Sequence, residues 1–203
     1  EAILHVINAM LLGGFLGKNL SIYFGNIMRV LITGKTKLAG ALIERIGDVQ
    51  DCRVDDNISW DKFDVFLNCA HVGFSQVELL FDAYENWRND KEKLIINFSS
   101  RAYKPNISRG LMYSSQKAAL NHMCDNIVYN TDCKCAVVVI NLGLLESSLP
   151  STKYYEICEL VEKIISDFKN KKNLMTEVTF QNKHNYTEVQ KMKIAENKIH
   201  KKK

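Results

Sequence analysis

The chain lacks the cysteine spacings that would make metal or disulfide chemistry the first hypothesis. Its six cysteines (52, 69, 124, 133, 135 and 158) contain no CxxC pair, and no two histidines sit at ligand spacing. A zinc-binding module is therefore not expected. Cys69 and Cys135 fall within apolar runs, where thiols behave as small hydrophobes. Reduced thiols and a cytoplasmic setting fit this usage better than a disulfide framework does. The chain also lacks an unbroken apolar run of membrane-spanning length. The stretch AILHVINAMLLGGFLG is short and carries His5 and Asn8, so no membrane partner is expected. It has neither the basic n-region nor the small-residue cleavage site of a secretory signal. Internal repeats and long linkers are missing as well.

The net charge of +4 over 203 residues is unevenly placed. Residues 169–203 hold ten Lys against three acidic residues, whereas residues 1–168 hold 17 basic and 20 acidic ones. The body is slightly acidic and the basic character belongs to the end of the chain. A terminal Lys run is ordinarily a solvated end, so no nucleic-acid partner is expected. The sequence divides into an N-terminal extension (1–27), a single domain (28–182) and a basic C-terminal tail (183–203) expected to be a frayed helix or disordered. Met28 stands directly before the first clear strand. Met28 is expected to be the natural start, with residues 1–27 a piece of upstream sequence.

From Met28 onward, apolar runs alternate with helical patterns. RVLIT (29–33), DCRVD (51–55), FDVFLNCA (63–70), KLIINFSS (93–100), KCAVVVINLG (134–143) and MTEVTFQ (175–181) read as strands. KLAGALIERI (37–46), SQVELLFDAYENW (75–87), RGLMYSSQKAALNHMCDNIVYN (109–130) and YYEICELVEKIISDFKN (154–170) read as helices. Strand–helix alternation at these intervals predicts an α/β fold, a Rossmann-type doubly wound parallel sheet in three layers, α/β/α. Trp60 and Trp87 read as core or helix-packing aromatics.

The GKT tripeptide at Gly34–Thr36 suggests a triphosphate-binding loop. That loop needs a second glycine at position 29, which is Arg, so the motif fails. A dinucleotide reading does better. A strand, a tight turn at Gly34 and a helix containing Gly40 would aim free N–H groups and a positive dipole end at a pyrophosphate. Lys37 and Leu38 at the helix start join Gly34 and Gly40 on that cofactor side. Asp55 stands about twenty residues on, where a carboxylate would grip ribose hydroxyls, though it also reads as a strand-end cap.

Downstream, NFSS ends a strand at Ser99 and Ser100, and Tyr113 precedes Lys117 by one helical turn. An ammonium beside a phenol favours phenolate, drawing a pKa of about 10 toward working pH. Such a pair can pass a proton in carbonyl–alcohol chemistry, and a strand-end serine can hydrogen-bond the same oxygen.

With these residues in order, residues 28–150 resemble the short-chain dehydrogenase/reductases, including their epimerase-like relatives that act on nucleotide sugars. The features are Thr33-Gly34 with Gly40, Asp55, LNCAH at 67–71, Ser100, Tyr113 with Lys117, and NLGLLES at 141–147. The resemblance implies an NAD(P)-dependent oxidoreductase acting on a carbonyl or hydroxyl of a small molecule. Tyr113 would be the acid/base, Lys117 would favour its phenolate and hold the nicotinamide ribose, and Ser100 would orient the substrate. Asn68 and Ala70 would line the cofactor crevice; Asn68 reads equally well as a tie between loops. Asp55 implies NAD(H) over NADP(H), and pairing of two copies through the Tyr113 helix is plausible in such a family.

Departures are visible too. The family's middle glycine is Lys37, its Pro-Gly is Leu142-Gly143, and Ser147 stands where a cofactor-contacting Thr is common. His71 replaces a frequent glycine and reads as a plain loop residue. The segment before LNCAH is too short for the usual extra helix and strand, and no helix-borne catalytic Asn can be placed. The alternative function is thus a Rossmann dinucleotide-binding protein with reduced catalysis and a regulatory or binding role.

Overall fold

Four consecutive buried residues, Val30–Thr33, form β1 of a sheet that must be covered on both faces. Period-two alternation sends Val30 and Ile32 into one apolar cluster and Leu31 into the other. The same logic builds β3 (Val65–Asn68), β4 (Leu94–Ser100) and β5 (Ala136–Leu142), while the shorter β2 (Val49–Cys52) and β6 (Glu177–Phe180) are partly exposed edges. The computed structural model describes residues 28–105, 110–146, 149–184 and 186–200. Expectations about residues 1–27, Ser147 and 201–203 lie outside the described residues.

All neighbouring strands are parallel, in the order β2-β1-β3-β4-β5-β6. Helices α1 (Lys37–Ile46) and α4 (Tyr154–Lys169) cover one face through Leu38, Leu42, Ile157 and Val161. Helices α2 (Ser75–Trp87) and α3 (Leu111–Asn130) cover the other through Leu80, Trp87, Leu120 and Ile127. The result is the three-layer doubly wound Rossmann-type fold expected from the alternation. Trp60 and Trp87 pack edge to face at 5.5 Å, and the Trp87 indole donates to the Trp60 carbonyl at 3.1 Å.

The chain leaves β1 toward β2 on one side and returns to β3 on the other. The strand order therefore reverses at β1, and such a switch point opens a crevice outside the carboxyl ends of the strands. Only a short 3-10 turn, Trp60–Lys62, lies between β2 and β3, so the extra helix and strand are absent from that segment as its length requires.

One expectation needs correcting. The second strand is Val49–Cys52, not 51–55, because it starts beside β1 with Val49 opposite Val30. Residues 53–56 instead close a turn in which the Asp56 carboxylate accepts from the Arg53 backbone N–H at 2.6 Å. In the basic tail, Tyr186–His200 is a helix, α5, seated through buried Val189 and Gln190.

Gly34, at the end of β1, has φ +93°, and a Cβ there would meet the Ala70 backbone at 2.8 Å. Both the dihedral and the contact exclude a side chain, and the obstacle is main chain that cannot swing away. Gly34→Ala is expected to cost on the order of 2 kcal/mol. The cost is read as a lower urea midpoint at unchanged slope; an unchanged midpoint would show that the two loops separate freely.

Candidate active site

The crevice wall begins at α1. Thr36 caps the helix, its hydroxyl accepting from the Ala39 N–H at 3.0 Å. The Lys37 and Leu38 N–H groups have no partner among the described residues, and the first turn carries no acidic side chain. This end of α1 therefore presents free donors, a positive dipole end and the Lys37 ammonium, a fit for a diphosphate. Gly40 is exposed one turn inside α1, and outside its own stretch of helix nothing lies within 4 Å of where a Cβ would be. The fold itself does not demand a glycine there; space for a ligand would.

Ser100 is the last residue of β4, and Tyr113 is the third residue of α3 with Lys117 one turn on. Lys117 is buried, and its ammonium donates to Gln76 Oε1 at 2.6 Å and to the Phe98 carbonyl at 2.9 Å. Burial draws its pKa down to about 8. The Nζ lies 5.8 Å from the centroid of the Tyr113 ring, whose own surface is 39% exposed at the crevice. His71 meets the Tyr113 ring edge to face at 4.8 Å and so limits its rotation. Burial, and then the Lys117 charge, hold the His71 pKa below its ordinary value, which favours the neutral imidazole.

The two serines are held differently. Ser99 Oγ accepts from Asn121 Nδ2 at 2.6 Å and is buried. Ser100 Oγ accepts from the Ala102 N–H at 3.2 Å, which leaves its own proton free to be donated. Ser100 is thus the better placed to meet a substrate oxygen.

Behind this surface lies a buried amide network. Asn68 donates to the Gln76 carbonyl at 2.8 Å and to Asn97 Oδ1 at 2.9 Å. Gln76 Nε2 donates to the carbonyls of Asn68 (2.6 Å) and Phe98 (2.9 Å) while its Oε1 receives Lys117. One side chain thereby ties the ends of β3 and β4 to the lysine of α3. Gln76 and Asn121 are site residues that the sequence did not single out, and His71, read there as a plain loop residue, borders the cleft. Asn121 follows Lys117 by one turn, and Asn97 interrupts an apolar run, so both left a readable trace. Gln76 left none, because a polar residue in the first turn of a helix is unremarkable.

Lys37, Leu38, Ser100, Tyr113 and Lys117 border one cleft of about 490 Å³, a volume ordinary for small-molecule sites. From the loop after β3, Cys69 and His71 reach its wall; Asn68 and Ala70 are buried behind it. Gly34 and Gly40 do not line this cleft, nor does Asp55, which is exposed in the turn beyond β2. Among the described residues, the charged side chains of the lining are Lys37, Lys117 and Lys193, with no carboxylate. Among the described residues there is no group of metal-ligating side chains, and no helix is long and apolar enough to cross a membrane.

The sequence matches no protein-family model and no curated protein. The fold does match solved structures. A serine dehydrogenase from Escherichia coli superposes with a TM-score of 0.64 at 13% identity, over 78% of this chain and 100% of that one. A short-chain dehydrogenase from Burkholderia cenocepacia, in complex with NADP, gives 0.62 at 13% identity over 85% and 95%. A 4-hydroxyisoleucine dehydrogenase complexed with NADH gives 0.57 at 13% identity over 75% and 96%. At such identities the likeness is one of fold: this chain is built as the short-chain dehydrogenases are.

Proposed function

We propose that the chain is an oxidoreductase of the short-chain dehydrogenase/reductase type, working with a nicotinamide dinucleotide on a carbonyl or alcohol of a small molecule. The observation that carries this reading is the meeting of Ser100, Tyr113 and Lys117 on one cleft with the open N-terminus of α1. The matched folds, which include NADP- and NADH-bound dehydrogenases, are consistent with it.

A dinucleotide bound along this edge would supply or accept the hydride. The chain's own residues manage the proton. In reduction, the Tyr113 hydroxyl gives its proton to the carbonyl oxygen as that oxygen gains negative charge, and Ser100 donates a hydrogen bond to the same oxygen. The resulting phenolate is stabilised by the Lys117 ammonium, fixed in place by Gln76 and Phe98. In oxidation the phenolate takes the alcohol proton back. Of the three Lys117 donors, two are committed to protein acceptors, and the third is left for a ribose hydroxyl.

NAD(H) is the proposed partner, on the charge of Asp55: its carboxylate would bond ribose hydroxyls and repel a 2′-phosphate. Thermal-shift titration should give a larger rise in Tm with NAD⁺ or NADH than with NADP⁺ or NADPH, and Asp55→Asn should narrow that difference. A preference for the phosphorylated cofactors would remove Asp55 from the site. No shift with any of the four would end the proposal. One observation favours a second reading, a dinucleotide-binding protein without turnover: Lys37 occupies a position where the family pattern has glycine. Dinucleotide binding without hydride transfer to any carbonyl or alcohol tested would select it.

A further inference from the structure

The basic C-terminal helix contributes to the cleft. Val189 and Gln190 of α5 are buried, so this part of the helix is seated on the body. Gln190 and Lys193, three residues apart and hence on one helical face, both line the cleft. Lys193 is exposed and has no carboxylate within ion-pairing distance among the described residues.

The charges that line the cleft among the described residues are three lysines and no acid. Resting on the function proposed above, two of the three have assigned work. Lys37, with the free N–H groups of α1, matches the diphosphate of a dinucleotide. Lys117 is anchored by Gln76 and Phe98 beside Tyr113. Lys193 is left over, an unpaired cation carried on a separate element and directed at the same space.

We infer that Lys193 of α5 binds an anionic group of the substrate, so that the substrate class is a carbonyl or hydroxy compound bearing a carboxylate or phosphate. The ammonium attracts such a group into a cleft whose other walls include Leu142, Leu144 and Leu145, where a charge is only partly hydrated and a counter-ion counts for more than on open surface. Neutral carbonyl compounds lack the group that Lys193 recognises and bind less tightly.

The test uses the full chain with malonate and inorganic phosphate as probe anions, measured by calorimetry with and without saturating NADH. At least one anion should bind wild type, and Lys193→Gln should weaken it roughly tenfold or more while Lys193→Arg retains it. The affinity for NADH should be the same in all three proteins. Lys193 is exposed, so these variants fold as wild type does, which circular dichroism checks. Absence of binding by both anions, or equal binding to Lys193→Gln, overturns the inference. A loss of NADH affinity in Lys193→Gln also overturns it, by assigning the cation to the cofactor's phosphates. If NADH binds none of the proteins but the Lys193-dependent anion site persists, the anion site stands and the dehydrogenase reading falls.

Discussion

Tyr113→Phe should lower turnover by about 10²–10⁴-fold with little change in dinucleotide affinity. The substitution removes one hydroxyl and keeps the ring that packs against His71 at 4.8 Å. The side chain is 39% exposed, so losing its oxygen leaves no buried acceptor or donor stranded and the fold should be unaffected. What is lost is the only group in the proposed reaction that gives the carbonyl oxygen a proton. Ser100 cannot replace it, since its hydroxyl is a far weaker acid and serves as a hydrogen-bond donor. The decisive measurement is single-turnover hydride transfer at 340 nm, with dinucleotide binding followed separately by calorimetry. Turnover at the wild-type rate would strike Tyr113 from the acid/base role. Loss of binding together with turnover would mean that the phenol holds ligand rather than moving protons.

The parts of this site that were legible in the sequence are those fixed by local spacing. Tyr113 and Lys117 share a face because a helical turn puts them there, and the helix is readable from its flanking strands. Ser100 is readable because an apolar run must end where the sheet ends. Lys37 and Leu38 follow from the strand–turn–helix order. Contacts between distant segments were hidden. Nothing local to Gln76 indicates that it will face Lys117, 41 residues away, and the bond exists only because α2 and α3 pack on the same face of the sheet. Asn68 was equally open between cofactor contact and loop tie, and its Nδ2 is committed to the Gln76 carbonyl and Asn97. The tail was open, from its composition, between a frayed helix and disorder. Val189 and Gln190 are too few apolar or amide groups to announce, in sequence, a helix that docks.

The Gln76–Lys117 contact carries the second large effect. Lys117→Met should reduce turnover by about 10²-fold or more, because the phenolate loses its neighbouring cation and the ribose its donor. Unlike Tyr113, Lys117 is buried, so the substitution also acts on folding, in a pH-dependent way. The folded-state pKa of about 8 lies below the ordinary 10.5. Below pH 8 both the folded and unfolded states carry the proton, and the full cost of a buried ammonium is present. Between 8 and 10.5 the unfolded chain binds more protons than the folded one, so wild-type stability gains a rising contribution across that window. Lys117→Met removes that rise, while leaving Gln76 Oε1 without its donor at every pH.

Activity follows the opposite sense, since the ammonium that stabilises the phenolate is lost as pH climbs through about 8. The kcat/KM profile of wild type should therefore carry an alkaline limb near that pH. Gln76→Glu places a carboxylate against the same ammonium and loses the two Nε2 bonds to the Asn68 and Phe98 carbonyls, so activity should fall overall while the limb moves to higher pH as the charged form is favoured. A merely structural role for Gln76 would lower activity uniformly and leave the limb where it was. An unmoved limb in Gln76→Glu, or the same limb in Lys117→Met, would separate the titration from Lys117.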